Sequence, residues 1–203
     1  MTTSMCKIIC VSNRHLCTEP FEQRLASVIK AGVDALILRE KDLSETEYLA
    51  LAERVLPLCE GTATTCILHS FPGVAHDLHY DKIHLPLPLL RSLSNEEREA
   101  FTVLGASCHS LADVEEATKL GCTYVTLGHI FATNCKKDLK PRGLPFLQSI
   151  CEQAHIPVYA IGGIHPHNVA TINNAGAQGA CIMSDFMICD NPSELLHQLK
   201  AMQ

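Results

Sequence analysis

Arg39 and Lys41 lie two apart in LREK, just past an apolar run, so both side chains can project over one rim. Glu40, Asp42 and Glu45 stand beside them, and solvated ion pairs with these carboxylates are the structural alternative, close to neutral energetically. Lys136, Lys137 and Arg142 make a second basic cluster on a stretch punctuated by Pro141 and Gly143. In a chain of net charge −6, two basic clusters on one rim suggest an anionic small-molecule substrate. Gly162-Gly163 ends one apolar run and Ser184 follows the next. Glycines let backbone N–H groups approach an anion closely, and a small hydroxyl before a helix adds donors, so these residues form a candidate phosphate corner. Glycines that only permit a tight turn are the other reading. His129 follows Gly128 at the end of a further run. Its imidazole can take and return a proton near neutrality, or it can be a packed histidine hydrogen-bonded to backbone. His69 ends another run and can reach the same rim, whereas His76, His79, His165 and His167 read as surface residues.

Eight short, β-branched runs supply the elements that must position these groups: 7–12, 35–39, 65–69, 82–85, 102–107, 124–127, 158–161 and 179–183. Runs such as ILHS and YAIGG lack an alternating polar face, as in parallel strands covered by helices on the outside. ETEYLALAERVLPLCE places Tyr48, Leu51, Ala52 and Val55 on one helical stripe. LADVEEATKLG reads as a helix stopped at Gly121, and HNVATINNAGA as one opened by Pro166. Between Phe71 and Asp81 a third helix must be short or irregular. At 203 residues this pattern predicts a single-domain α/β (β/α)8 barrel spanning 1–203. A doubly wound open sheet is the runner-up, but its usual Gly-rich first turn is missing from VSNRHLCTEP. In a barrel, functional groups gather where strands end, which is where Arg39, Ser107, His129, Gly163 and Ser184 fall.

The acidic balance argues against a nucleic-acid partner, and no apolar run approaches the ~18–20 residues that cross a bilayer. The first fifteen residues do not read as a signal peptide. Eleven cysteines, an odd number with no Cys-x-x-Cys pair, sit partly inside apolar runs (Cys10, Cys66, Cys181) and read as small hydrophobes in a reducing, cytoplasmic setting. No spacing supports a metal site.

LREK at 38–41, YVTLGHIFATNCKK at 124–137, PVYAIGGI at 157–164 and GACIMSDF at 179–186 resemble the thiamine phosphate synthase superfamily, in the same order from about Lys7 to Phe186. The resemblance implies the same barrel, in a family whose members often pair as homodimers. It also carries departures. Synthases of the family have an Asn-Asp pair after strand three and an aspartate beyond strand four, whose carboxylates hold Mg²⁺; this chain has His69-Ser70 and HLPLPLL. Ile37 stands for a glutamine, and GHIFAT for a GP-x-F-x-T segment. A GH-x-F-x-T-x-C-K-K segment is similar to the TenI-type branch, which aromatises a carboxylated thiazole ethyl phosphate. That likeness implies a thiazole tautomerase, an isomerase with His129 as acid/base and no metal or other cofactor. Arg39, Lys41 and Lys136 would hold the carboxylate, and Gly163, Met183 and Ser184 the phosphate of the thiazole phosphate, with Ser107 and Thr133 at substrate-contacting positions. The alternatives are a Mg²⁺-dependent thiamine phosphate synthase, a transferase coupling a pyrimidine pyrophosphate to the thiazole phosphate, and a non-catalytic phosphate-ligand-binding relative.

Overall fold

The computed structural model describes residues 6–133 and 139–201. All eight apolar runs are parallel strands: β1 Lys7–Val11, β2 Ala35–Leu38, β3 Thr65–His69, β4 Lys82–Pro86, β5 Val103–Cys108, β6 Tyr124–Gly128, β7 Val158–Ile161 and β8 Gly179–Ile182. They pair in chain order and β1 pairs with β8, so the sheet closes into the (β/α)8 barrel and the open-sheet alternative falls. The two-sided apolar pattern has a direct cause. Ile9, Val11, Ile37, Ile67, Tyr124, Tyr159 and Cys181 fill the interior, while their neighbours Ile8, Cys10, Leu36, Leu38, Leu68 and Ile182 pack under the helices.

The outer layer is α1 Phe21–Ala31, α2 Glu45–Cys59, α3 Pro72–Asp77, α4 Leu87–Ser92, α5 Asn95–Glu99, α6 Leu111–Lys119, α7 Leu144–Cys151, α8 Val169–Asn174, α9 Ser184–Ile188 and α10 Pro192–Ala201. Helix α2 buries the expected stripe and opens on a Ser44–Glu47 capping box. Its fully buried Tyr48 donates its hydroxyl to the Leu38 carbonyl (2.6 Å) and accepts the His69 N–H (2.8 Å), fastening the ends of β2 and β3 together. Helix α3 is short, as its sequence implied. Helix α8 starts three residues later than Pro166 suggests, because the Asn168 amide accepts the His165 N–H and donates to the Gly163 carbonyl, holding 165–168 as a turn. Two short helices, α4 and α5, fill the β4–β5 crossover.

Cys10, Cys66 and Cys181 are buried among apolar neighbours, and the ten described cysteines are all free thiols. Among the described residues no helix is long and apolar enough to cross a membrane.

Candidate functional site at the barrel mouth

The carboxylates that could have neutralised the β2 cations are engaged elsewhere. Glu40, 2% exposed, accepts the Ser12 hydroxyl (2.7 Å), the Arg14 backbone N–H and the Arg14 guanidinium (3.0 Å). Asp42 takes both terminal nitrogens of Arg14 and the ring of His15, and these partners hold its carboxyl well below the usual carboxylate range. The network pins the β1 loop over the end of β2. Among the described residues, no carboxylate lies within ion-pair distance of Arg39 or Lys41, so the structural alternative of a local salt bridge does not hold.

Beside these cations stands a buried polar column that the sequence only half disclosed. His69 ends β3, 5% exposed, with Nδ1 2.7 Å from the Ser70 hydroxyl. It stacks on His84 of β4, its cross-strand neighbour, at 5.6 Å between ring centroids. His84 Nδ1 is 3.0 Å from the Tyr124 hydroxyl and Nε2 is 2.9 Å from the Ser107 hydroxyl, with Thr126 Oγ1 at 3.4 Å. Burial, then the neighbouring His84, Arg39 and Lys41, push His69 down to about 2; burial and Arg39 push His84 down to about 3. Both rings are therefore neutral at physiological pH. His84 and Tyr124 escaped the sequence reading. Their signal is there: a histidine in the apolar run KIHLP at the inward position paired with His69, and a tyrosine opening YVTLG.

His129 lies on the far side of the mouth, 6% exposed. Its Nε2–H donates to the Leu139 carbonyl (3.2 Å), and its own carbonyl accepts the Arg142 N–H. It pins the loop that follows β6. Gly162 and Gly163 serve the same junction. Both have positive φ, and a Cβ on Gly162 would collide with His129 Cβ, one on Gly163 with the Ala132 carbonyl and Phe131. The glycine pair is thus required by backbone packing between the β6 and β7 loops, whatever it also does for an anion. Met183 and Ser184 are half-buried where β8 passes into α9, and Thr133 is half-buried in the β6 loop. Lys136 and Lys137 lie outside the described residues. Arg142 sets its guanidinium over the Phe146 ring at 5.0 Å. His165 is more than a surface residue: its Nδ1 is 2.6 Å from Asp185 Oδ2, tying the β7 loop to α9. His76 is a surface residue, as read.

The model of the family described as thiamine monophosphate synthase matches residues 8–186. The chain belongs to that family. It is 29% identical over 188 residues to the thiamine-phosphate synthase of Fusobacterium nucleatum, covering 90% of this chain and 89% of that protein. It is 32% identical over 169 residues to the thiamine-phosphate synthase of Shouchella clausii, covering 80% and 79%. The solved structure of a thiamine phosphate pyrophosphorylase from Pyrococcus furiosus superposes with a TM-score of 0.84 at 24% identity, covering 98% of this chain and 96% of that one, and shares the fold. These relatives overturn the tautomerase expectation: they carry synthase names. The physical cue behind that expectation, a histidine after Gly128, also has a simpler reading, since the structure binds its Nε2 to a backbone carbonyl.

The family's Mg²⁺ does not fit the residues present. A magnesium ion requires hard oxygen ligands. Where carboxylates were expected, the end of β3 presents His69 and Ser70 and the segment after β4 only leucines and prolines, with Arg39 and Lys41, unpaired with carboxylates among the described residues, and the neutral His84 alongside. Among the described residues, no cluster of three or more His, Cys, Asp and Glu is arranged to hold a metal ion.

Proposed function

We propose that this chain is a transferase that makes thiamine phosphate, joining a pyrimidine carried as its diphosphate ester to a thiazole phosphate. The observation that carries the reading is the synthase name shared by relatives that align along at least four-fifths of the chain. The mouth supports it. In this coupling the bond between the pyrimidine carbon and the diphosphate oxygen breaks as the thiazole takes its place, so negative charge accumulates on the departing diphosphate. Arg39 and Lys41, free of carboxylate partners among the described residues, suit a group that gains charge in the transition state. Lys136, by its place in the motif, would be a third cation. The thiazole phosphate would sit across the mouth against Gly163, Met183 and Ser184, with Ser107 and Thr133 lining the space between. His129 would act as a positioning residue for the β6 loop. The free thiols suit a reducing compartment, the cytoplasm.

The test is direct. Purified protein incubated with both substrates should yield thiamine phosphate by mass spectrometry, and none when either is omitted. Absence of product from both, with the protein folded, would refute the reading.

A further inference from the structure

We propose that Arg39, Lys41, His69 and Ser107 form an anion site made only of N–H and O–H donors, which holds a diphosphate without a bridging divalent cation. The choice of diphosphate rests on the transferase reading above; the donor-only character does not.

The polarity of the column follows from hydrogen-bond accounting. Tyr124 is buried, and burial lifts its phenol well above the ordinary value, so it keeps its proton. Among the described residues the only acceptor for that proton is His84 Nδ1. A neutral imidazole accepting at Nδ1 carries its hydrogen on Nε2, which then donates to the Ser107 oxygen. Ser107 accepts this hydrogen bond from behind and keeps its O–H for a further partner. His69 can take the same form. When the Ser70 hydroxyl donates to Nδ1, Nε2 carries the N–H; Nε2 has no partner among the described residues and is not sealed from solvent, so a bound anion selects that tautomer. The His84 tautomer is thus set by a buried phenol that has no other acceptor among the described residues, whereas His69, beside a hydroxyl that can donate or accept, is free to present its N–H to an anion.

The outcome is two neutral groups able to donate beside a guanidinium and an ammonium, with Glu40 turned away into the Arg14 network. A divalent cation would meet two like charges and no carboxylate at these positions to offset them. A polyanion would meet complementary partners, in a partly desolvated setting where charge-assisted hydrogen bonds are strong. The site therefore has in donors what a carboxylate-bound metal would otherwise supply.

Calorimetric titration of the full chain with inorganic diphosphate tests this, once in EDTA and once with Mg²⁺, the titrant corrected for its magnesium complex. The wild type should bind in EDTA with a Kd within about threefold of the magnesium value. His69→Asp, which puts an acceptor where a donor stood, should lose at least tenfold in EDTA and recover part of it with Mg²⁺. His69→Gln, which keeps an N–H, should lose less than His69→Ala. Melting curves identify any variant that fails to fold, and Ser107→Ala, expected to weaken binding several-fold, provides a second probe away from β3. Wild-type binding that appears only with Mg²⁺, or in neither condition, would overturn the proposal, as would a folded His69→Asp that binds like wild type in EDTA. The two readings fail separately. Diphosphate binding in EDTA without any coupling sinks the transferase and leaves the anion site, whereas coupling that strictly requires Mg²⁺ does the reverse.

Discussion

His69 and His84 are neutral in the folded chain down to about pH 3, whereas in the unfolded chain they titrate near the ordinary histidine value of ~6.5. Between those limits the unfolded state binds more protons, so stability falls as the pH drops. Each buried histidine contributes on the order of 1 kcal/mol per pH unit there, or roughly 2 kcal/mol between pH 6.5 and 5. Two such groups should lower Tm by about 8–16 °C over that interval, at ~2–4 °C per kcal/mol for a chain of this size. Differential scanning calorimetry of wild type and His84→Gln at both pH values checks it: the variant should show a shallower loss, and an identical slope would contradict the account. His129 makes a different prediction. His129→Asn removes the donor to the Leu139 carbonyl, which should cost about 1 kcal/mol and a few degrees of Tm. Coupling rate per folded molecule should fall less than about tenfold; a loss of ~10²–10⁴ at unchanged Tm would instead make it a proton-transfer residue.

At the scale of elements, Tyr48 shows how a helix places the site. Its hydroxyl joins the end of β2 to the end of β3, one residue from Arg39 and at His69 itself. Tyr48→Phe leaves the Leu38 carbonyl and the His69 N–H buried without a partner, a loss on the order of 2–4 kcal/mol. Tm should fall by roughly 4–16 °C, and the affinity for inorganic diphosphate should fall with it, because the His69 ring loses its backbone anchor. A Tm within a degree of wild type would show that the clamp does not bear on stability. The β6–β7 junction sets the opposite constraint. Gly163→Ala places a Cβ against the Ala132 carbonyl at a positive φ, so the variant should be destabilised or its β6 loop displaced, visible as a lower Tm before any substrate is added.

Across the whole molecule, the eight strands and the closed barrel were legible because period and apolarity are local signals: a strand covered on both faces reads as an unbroken apolar run wherever it lies. Positions of Arg39, Lys41, Ser107, Gly163 and Ser184 at strand ends followed from the same pattern. What local pattern cannot carry is pairing across strands. His84 becomes notable only once the β3–β4 register sets it against His69, and Tyr124 only once β6 brings its hydroxyl to that ring. The function was misjudged for a related reason. Missing carboxylates and a histidine after Gly128 invited a proton-transfer enzyme, whereas that histidine binds a loop carbonyl and the emptied carboxylate positions hold Ser70 after β3 and apolar residues after β4. A net charge of −6 with cations gathered at one mouth also implies that diphosphate affinity weakens as salt is raised from 50 to 500 mM, a dependence titration can follow.

The most direct test is a ³¹P NMR time course of the wild-type chain with both substrates, recorded with Mg²⁺ and again after chelation. Inorganic diphosphate should appear one for one as the diphosphate ester is consumed, and the thiazole phosphate signal should shift to that of thiamine phosphate in step. An unchanged diphosphate ester in both samples, with the protein folded throughout, would contradict the account.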